Sequence, residues 1–130
     1  MRVLQPKGWP RPKGYANGIE ARGRMVFVAG QVGWDENERF VAEDFAGQFE
    51  QALNNVLAVL READAGPEHV ARMTWYVLDK KAYLSDVAHI GGIYRRVMGK
   101  NFPVMSVIQV SSLVEDAALV EIEATAVIPD

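Results

Sequence analysis

The sequence predicts an α+β fold in which two helices pack on one face of a mixed β-sheet. The first observation is that apolar residues recur at every second position, then at every third or fourth, then at every second again. The second is composition: of 130 residues, 49% are apolar and 24% are charged, as in ordinary globular proteins. We expect residues 1–130 to form a single domain, since this is a common domain length.

The N-terminal third is predicted to contain short strands. Residues 19–22 and 25–31 are expected to pair around a turn at Gly23. Residues 8–14 precede them and should be irregular, because prolines and glycines interrupt both helix and sheet. A third short strand is expected at residues 38–41, after a polar turn.

The first predicted helix has Asp44 as its N-cap and Gly66-Pro67 as its stop. Its apolar residues recur at spacings of three and four, which places them on one face. They are Phe45, Phe49, Leu53, Val56, Leu57 and Leu60.

A strand at residues 70–78 is predicted next, followed by a second helix that Asp79 caps and that ends before Gly99. The inner face of this helix should comprise Tyr83, Val87, Ile90, Tyr94 and Val97. Two closing strands, residues 104–110 and 119–127, complete the expected order βββαβαββ.

The last strand alternates clearly. Val120, Ile122, Ala124, Ala126 and Ile128 should face the helices, and Leu119, Glu121, Glu123 and Thr125 should lie on the other side. Two carboxylates among apolar neighbours are typical of a surface that meets another subunit or lines a ligand pocket.

Composition excludes several protein classes. The chain has no cysteine, so disulfides, thiolate metal sites and cysteine nucleophiles are absent. No apolar run approaches the roughly 20 residues of a membrane span, and residues 1–12 carry prolines and charges where a secretory signal is apolar. We expect a cytoplasmic protein without membrane association. Basic residues concentrate in residues 1–24, whereas the whole chain has a net charge of −3. This basic tract is too short and too interrupted by proline and glycine to favour nucleic acid as a partner.

Motifs for common cofactors are absent. There is no glycine-rich nucleotide-binding motif. His69 and His89 lie in different elements, and the sequence contains no metal-ligand spacing, so no metal site is expected. The remaining candidates suit a small polar molecule. Tyr15 follows a glycine, Gly30-Gln31 lies where a ligand can approach the backbone, and Glu121 could orient or deprotonate water. Taken alone, Glu121 fits a salt-bridged interface carboxylate better than a catalytic group.

These residues belong to a longer pattern that resembles the RidA/YjgF family of reactive-intermediate deaminases. The resemblance comprises residues 14–19 (GYANGI), residues 28–32 (VAGQV), residues 102–108 (FPVMSVI) and residues 120–124 (VEIEA), with further matches in both predicted helices. It implies a chorismate-mutase-like fold, a homotrimer with three pockets at subunit interfaces, and deamination without a metal or organic cofactor. Tyr15, Gly30 and Glu121 match substrate-binding and water-positioning residues of that family.

One match fails. The arginine that pairs the substrate carboxylate in deaminating members is replaced by Met105, and a thioether cannot make the two charge-assisted hydrogen bonds of a guanidinium. Val107 should face the same way as Met105 and make the pocket wall apolar. Gly91 stands where many members carry asparagine. Lys13 or Arg11 could act as a substitute cation.

We therefore expect a homotrimeric RidA-family enzyme that deaminates an imine or enamine, or performs a related hydrolysis, on an altered substrate. Glu121 is the expected catalytic group. Tyr15, Gly30, Gln31, Met105 and Val107 are the expected binding residues. The alternatives are a trimeric binding protein without turnover and, with less support, a ribonuclease or translation inhibitor.

Overall fold

The computed structural model describes residues 1–130 and contains six strands and three α-helices. In chain order they are β1 (Arg2–Leu4), β2 (Gly18–Glu20), β3 (Arg24–Val32), α1 (Phe45–Arg61), β4 (Val70–Val77), α2 (Lys80–Leu84), α3 (Val87–Met98), β5 (Val104–Gln109) and β6 (Val120–Ile128). One 3-10 turn lies between α1 and β4. None of the helices has the length and apolar character needed to cross a bilayer. The predicted α+β class is confirmed.

The main sheet has four strands in the order β3-β6-β4-β5. β6 pairs antiparallel with β3 and β4, whereas β4 and β5 are parallel and are connected through α2 and α3. The sheet is therefore mixed, as predicted. Its parallel pair requires a crossover connection, and α2 and α3 lie in that connection. β1 and β2 form a separate two-stranded sheet.

The predicted pairing of residues 19–22 with residues 25–31 is wrong, since β2 pairs with β1 instead. Gly23 provides the physical reason. Its φ is 147°, and a Cβ at this position would lie 2.8 Å from the carbonyl carbon of Ile128 and closer still to its oxygen. The glycine lets the chain pass tightly against the end of β6, where a hairpin turn would have been expected.

The third predicted strand is reduced to one isolated bridge between Trp34 and Phe40. Asp35 accounts for this, because its Oδ1 accepts hydrogen bonds from the backbone N–H groups of Asn37 and Arg39, at 2.9 and 3.1 Å. Local side-chain bonds of this kind compete with a sheet ladder for the same backbone donors. The segment is a turn, and the Trp34 and Phe40 rings pack across it at 5.8 Å.

α1 begins where predicted. The Asp44 side chain caps it by accepting a bond from Gly47 N at 3.3 Å. The helix ends at Arg61, before the predicted stop, and Gly66 and Pro67 instead start the 3-10 turn. The predicted inner face is buried, except that Phe45 is only half-buried. Its buried apolar residues are Ala46, Phe49, Ala52, Leu53, Val56, Leu57 and Leu60.

The predicted second helix is two helices. Asp79 caps α2 by accepting a bond from Lys81 N at 2.9 Å. The helical run then breaks at Asp86, whose backbone is not helical (φ −130°, ψ 25°), and α3 ends before Gly99, as predicted. Val87, the first residue of α3, is exposed rather than buried as predicted. The residues that α3 buries are Ile90, Ile93, Tyr94 and Met98.

A cluster of 22 buried residues joins the helices to one face of the main sheet. β6 contributes Val120, Ile122, Ala124, Ala126 and Ile128, which confirms the predicted alternation. The opposite face of the sheet carries Glu121, Glu123 and Thr125, which are only partly buried. The fold thus separates a helix-covered face from an open face.

Candidate functional site

The strand register divides the predicted site residues between the two faces of the sheet. Trp75 of β4 lies opposite Val107 of β5 and Ile122 of β6, so these three share the helix-covered face. The next residue, Tyr76, lies opposite Glu121 and therefore shares the open face with it. Within one chain, Glu121 therefore lies on the opposite face of the sheet from Met105 and Val107, although the family resemblance implies one pocket for all three.

The open face holds the carboxylate half-site, which we define as Gly30, Tyr76, Glu121 and Glu123. The register of β3 shifts between Val28 and Gln31, so Gly30 lies in a β-bulge inside the strand rather than at its end. A Cβ at Gly30 would lie 2.7 Å from Cδ of Glu121. Glycine is therefore required for the Glu121 side chain to lie across β3.

Tyr76 links the second carboxylate to the half-site. Its hydroxyl donates a hydrogen bond to Glu123 Oε1 at 2.6 Å. This bond is the main cause that raises the pKa of Tyr76, and burial and the charges of Glu123 and Glu121 act in the same direction. Glu123 is thus engaged with Tyr76, whereas the structure shows no hydrogen bond or ion pair that occupies Glu121.

The surroundings of the carboxylate half-site are unusually apolar for an open surface. Met25, Phe27 and Ile108 lie on the same face and are 58%, 71% and 45% exposed. Exposed apolar groups that flank partly buried carboxylates are typical of an interaction surface rather than of one that faces only solvent.

The second group of predicted residues lines a cavity of about 340 Å³ between β4, β5 and the second and third helices. We call it the aromatic cavity, because Tyr15, Trp75, Tyr83, Tyr94 and Phe102 form much of its wall. The predicted residues Met105 and Val107 complete the wall on β5. The prediction that these two share a face and make it apolar is confirmed.

The aromatic wall is tightly packed. The Trp75 ring contacts the rings of Tyr83 and Tyr94 at centroid distances of 6.1 and 6.0 Å. The Tyr94 hydroxyl donates to Asn101 O at 2.5 Å, and burial raises the pKa of Tyr94. The indole N–H of Trp75 is buried and has no acceptor in the chain. These contacts hold the back of the cavity in one arrangement.

Two cations line the aromatic cavity. Lys13 does so, as one of the two predicted substitute cations, whereas Arg11 does not. Arg95 also lines it and was missed from the sequence. It follows Gly91 by four residues, and this spacing places both on the same face of α3. Both cations are exposed, and neither makes an ion pair within the chain.

Gln31 belongs to neither group. Its Nε2 donates to Ala29 O at 3.1 Å, and the residue lines a separate groove with Trp34 and Asn55. It directly follows Gly30 in β3 but does not line the aromatic cavity with Tyr15, Met105 and Val107. The structure also contains no group of three or more His, Cys, Asp or Glu side chains arranged to hold a metal ion.

The fold and the cavity define a class: an α+β protein with a largely apolar cavity between a mixed sheet and its helices. Residues 10–128 match the family described as Endoribonuclease L-PSP. A crystal structure of a Rid family protein from Yersinia pestis is similar over 98% of both chains, with a TM-score of 0.84 and 36% identity.

Two curated relatives agree. A RutC family protein from Drosophila melanogaster is 38% identical over 104 residues, which are 79% of this chain and 72% of the relative. The 2-iminobutanoate/2-iminopropanoate deaminase of Salmonella typhimurium is 33% identical over 116 residues, or 87% and 86% of the two chains. This chain belongs to the RidA/YjgF family, as its motifs predict.

Proposed function

We propose that this protein is a RidA-type deaminase that hydrolyses the C=N bond of an imine, or of the imine tautomer of an enamine. Water adds to the imine carbon, and the tetrahedral adduct collapses to a carbonyl compound and ammonia. Glu121 accepts a proton from the attacking water and returns one to the departing nitrogen. The deaminase named among the relatives supports this class of reaction.

The observation that carries the proposal is the separation of the two halves of the site. Glu121 and Gly30 lie on the open face, whereas Tyr15 and Met105 line the aromatic cavity beside the helices. A catalytic carboxylate must lie within hydrogen-bonding reach of the water it activates. A neighbouring subunit could bring the open face of one chain to the cavity of the next.

Such an interface joins two different surfaces and closes into a ring when the rotation between subunits permits it. We propose that the ring is a homotrimer, as the family resemblance implies. The apolar groups on the open face, Phe27 above all, supply contact surface for this assembly. Each of the three sites would then combine one aromatic cavity with one carboxylate half-site.

Subunit complementation tests the proposal. Glu121→Gln and Tyr15→Ala each damage a different half, so each homo-oligomer should be inactive towards imines generated in situ by an amino-acid oxidase. When the two variants are co-expressed as mixed oligomers, about a quarter of the interfaces should combine two intact halves and recover activity. Mixed oligomers as inactive as their parents would overturn the shared site. A solution mass equal to one 14.4 kDa chain would overturn the assembly.

Met105 favours a second candidate, a binding protein without turnover. Met105 occupies the position where deaminating members are expected to carry the carboxylate-pairing arginine, and it still lines the cavity. A ligand that raises the melting temperature would demonstrate binding, since binding to the native state stabilises it. Absence of turnover for all such ligands, with the oligomer intact, would support this candidate over the enzyme.

A further inference from the structure

The aromatic cavity has a shape and charge distribution that define its ligand. Its wall is aromatic and aliphatic on β4, β5 and α3, and its charged side chains are the exposed Lys13 and Arg95. An apolar cavity with a few convergent polar groups is the usual form of a small-molecule site. Here the apolar space lies inside and the positive charge lies towards solvent.

α3 leaves additional space in this cavity. Gly91 and Gly92 are adjacent within the helix, and a Cβ at either position would meet no atom within 4 Å. Neither glycine is required by close packing or by a positive φ. Each therefore weakens the helix relative to alanine without a local structural need. Gly91 lines the cavity, whereas Gly92 is exposed and does not.

We propose that the aromatic cavity binds a molecule with an aromatic ring and one carboxylate. The ring occupies the space that Gly91 leaves open, against Trp75 and Met105. The carboxylate pairs with Arg95 and Lys13 at the solvent side. This inference rests on the proposed function, because it names the substrate class of the same site.

The arrangement moves anion recognition from the sheet to α3. Arg95 presents a planar guanidinium that matches a carboxylate, and it has no partner within the chain. Met105 then contributes apolar contact to the ring, where an arginine would place a charge against it. A thioether near an aromatic ring is a favourable contact. The loss of arginine at position 105 and the presence of Arg95 thus serve the same ligand.

Calorimetric titration of the full-length oligomer with three stable probes tests the inference. Phenylpyruvate has both ring and carboxylate, pyruvate lacks the ring, and benzyl methyl ketone lacks the carboxylate. Phenylpyruvate should bind about tenfold or more tightly than either partial probe, because burial of the ring and pairing of the charge both contribute. Equal affinity for pyruvate and phenylpyruvate would overturn the proposal.

Two matched pairs of variants locate the contacts. Gly91→Leu should weaken phenylpyruvate binding about tenfold or more, because its side chain fills the space of the ring, whereas Gly92→Leu should leave it unchanged. Gly91→Ala provides a milder version should the larger side chain disturb folding. Arg95→Met should weaken binding of phenylpyruvate but not of benzyl methyl ketone. Arg96→Met is its control, since Arg96 pairs with Glu50 outside the cavity.

The experiments can overturn the ligand inference and the deaminase proposal separately. Tight phenylpyruvate binding that depends on Gly91 and Arg95, without turnover of any imine, would retain this inference and overturn the deaminase. Efficient turnover of small imines with no preference for the ring would retain the deaminase and overturn this inference. Equal effects of the Gly91 and Gly92 variants would also overturn it.

Discussion

The Glu121 carboxylate lies against the backbone of Gly30, so closely that a Cβ at position 30 would stand 2.7 Å from Cδ and nearer still to Oε2. The two residues are 91 positions apart in sequence and belong to neighbouring strands of the main sheet. The β-bulge at Gly30 and the side-chain direction of Glu121 therefore form one local arrangement. A change at either residue should affect the other.

Gly30→Ala should displace the Glu121 side chain while leaving the fold intact. The clash involves a flexible side chain and no backbone, so relief by rotation of Glu121 costs little stability. We expect a large loss of deaminase turnover with little change in melting temperature. Because both changes remove the same group, Gly30→Ala combined with Glu121→Gln should be no worse than the poorer single variant. Additive losses would show that Gly30 acts independently of Glu121.

Glu121→Gln should lower turnover by roughly a hundredfold or more, since the amide keeps the shape of the side chain but cannot accept the proton. The mass of the oligomer should not change. Glu123→Gln is the comparison, because Glu123 is held by Tyr76. Turnover should depend far more on Glu121 than on Glu123. Unchanged turnover in Glu121→Gln would assign that carboxylate a structural role.

Met105→Arg should reverse the ligand preference. A guanidinium on β5 can pair the carboxylate of a small keto acid inside the cavity, so pyruvate binding should tighten by roughly 1.5–3 kcal/mol. Phenylpyruvate binding should weaken, because the charge then occupies the space of the ring. Met105→Leu keeps the apolar wall and serves as the control. If wild-type protein already hydrolyses small 2-imino acids as fast as an arginine-bearing relative, the interpretation of Met105 is wrong.

Gln48 holds the loop before β6 onto α1. Its Nε2 donates to Ala42 O and Ala117 O at 3.1 and 2.9 Å, and its Oε1 accepts from Leu119 N at 2.7 Å. The side chain is buried, so Gln48→Leu should lower the free energy of unfolding by about 3 kcal/mol. Asn54→Ala, on the exposed side of the same helix, should change it by less than about 0.5 kcal/mol. Urea unfolding measures both, and equal costs would contradict the assigned role.

The bond between Tyr76 and Glu123 predicts a stability change at alkaline pH. The pKa of Tyr76 in the folded protein is raised above its ordinary value of 10.0, chiefly because the hydroxyl donates to Glu123. The associated stabilisation is therefore fully present below pH 10 and is lost as the pH rises through the folded-state pKa.

Tyr76→Phe removes this titration. The stability difference between wild type and Tyr76→Phe should stay constant below pH 10 and shrink above it. Urea unfolding curves across that range provide the measurement. Tyr94 titrates in both proteins and cancels in the comparison. A difference that does not vary with pH would show that the bond does not form in solution.

Much of the fold follows from local sequence patterns. The apolar spacing from Phe45 onward defines α1, and Asp44 is the kind of residue that caps a helix, so both were predicted. The alternation around Glu121 correctly separated the two faces of β6. The pairing of β2 with β1 and the break at Asp86 were not predicted. Strand partners depend on contacts distant in sequence, and a break in a helix depends on how its two parts pack.

The sequence by itself determined the family, the chemical types at the candidate site and the absence of arginine at position 105. These depend on residue identity and local order along the chain. Only the tertiary structure decided which residues share a surface. It placed Glu121 and Met105 on opposite faces, placed Gln31 in a separate groove, and brought Arg95 beside the cavity. The physical reason is that a strand reverses its side-chain direction at every residue, so the register between distant strands determines which side chains can meet.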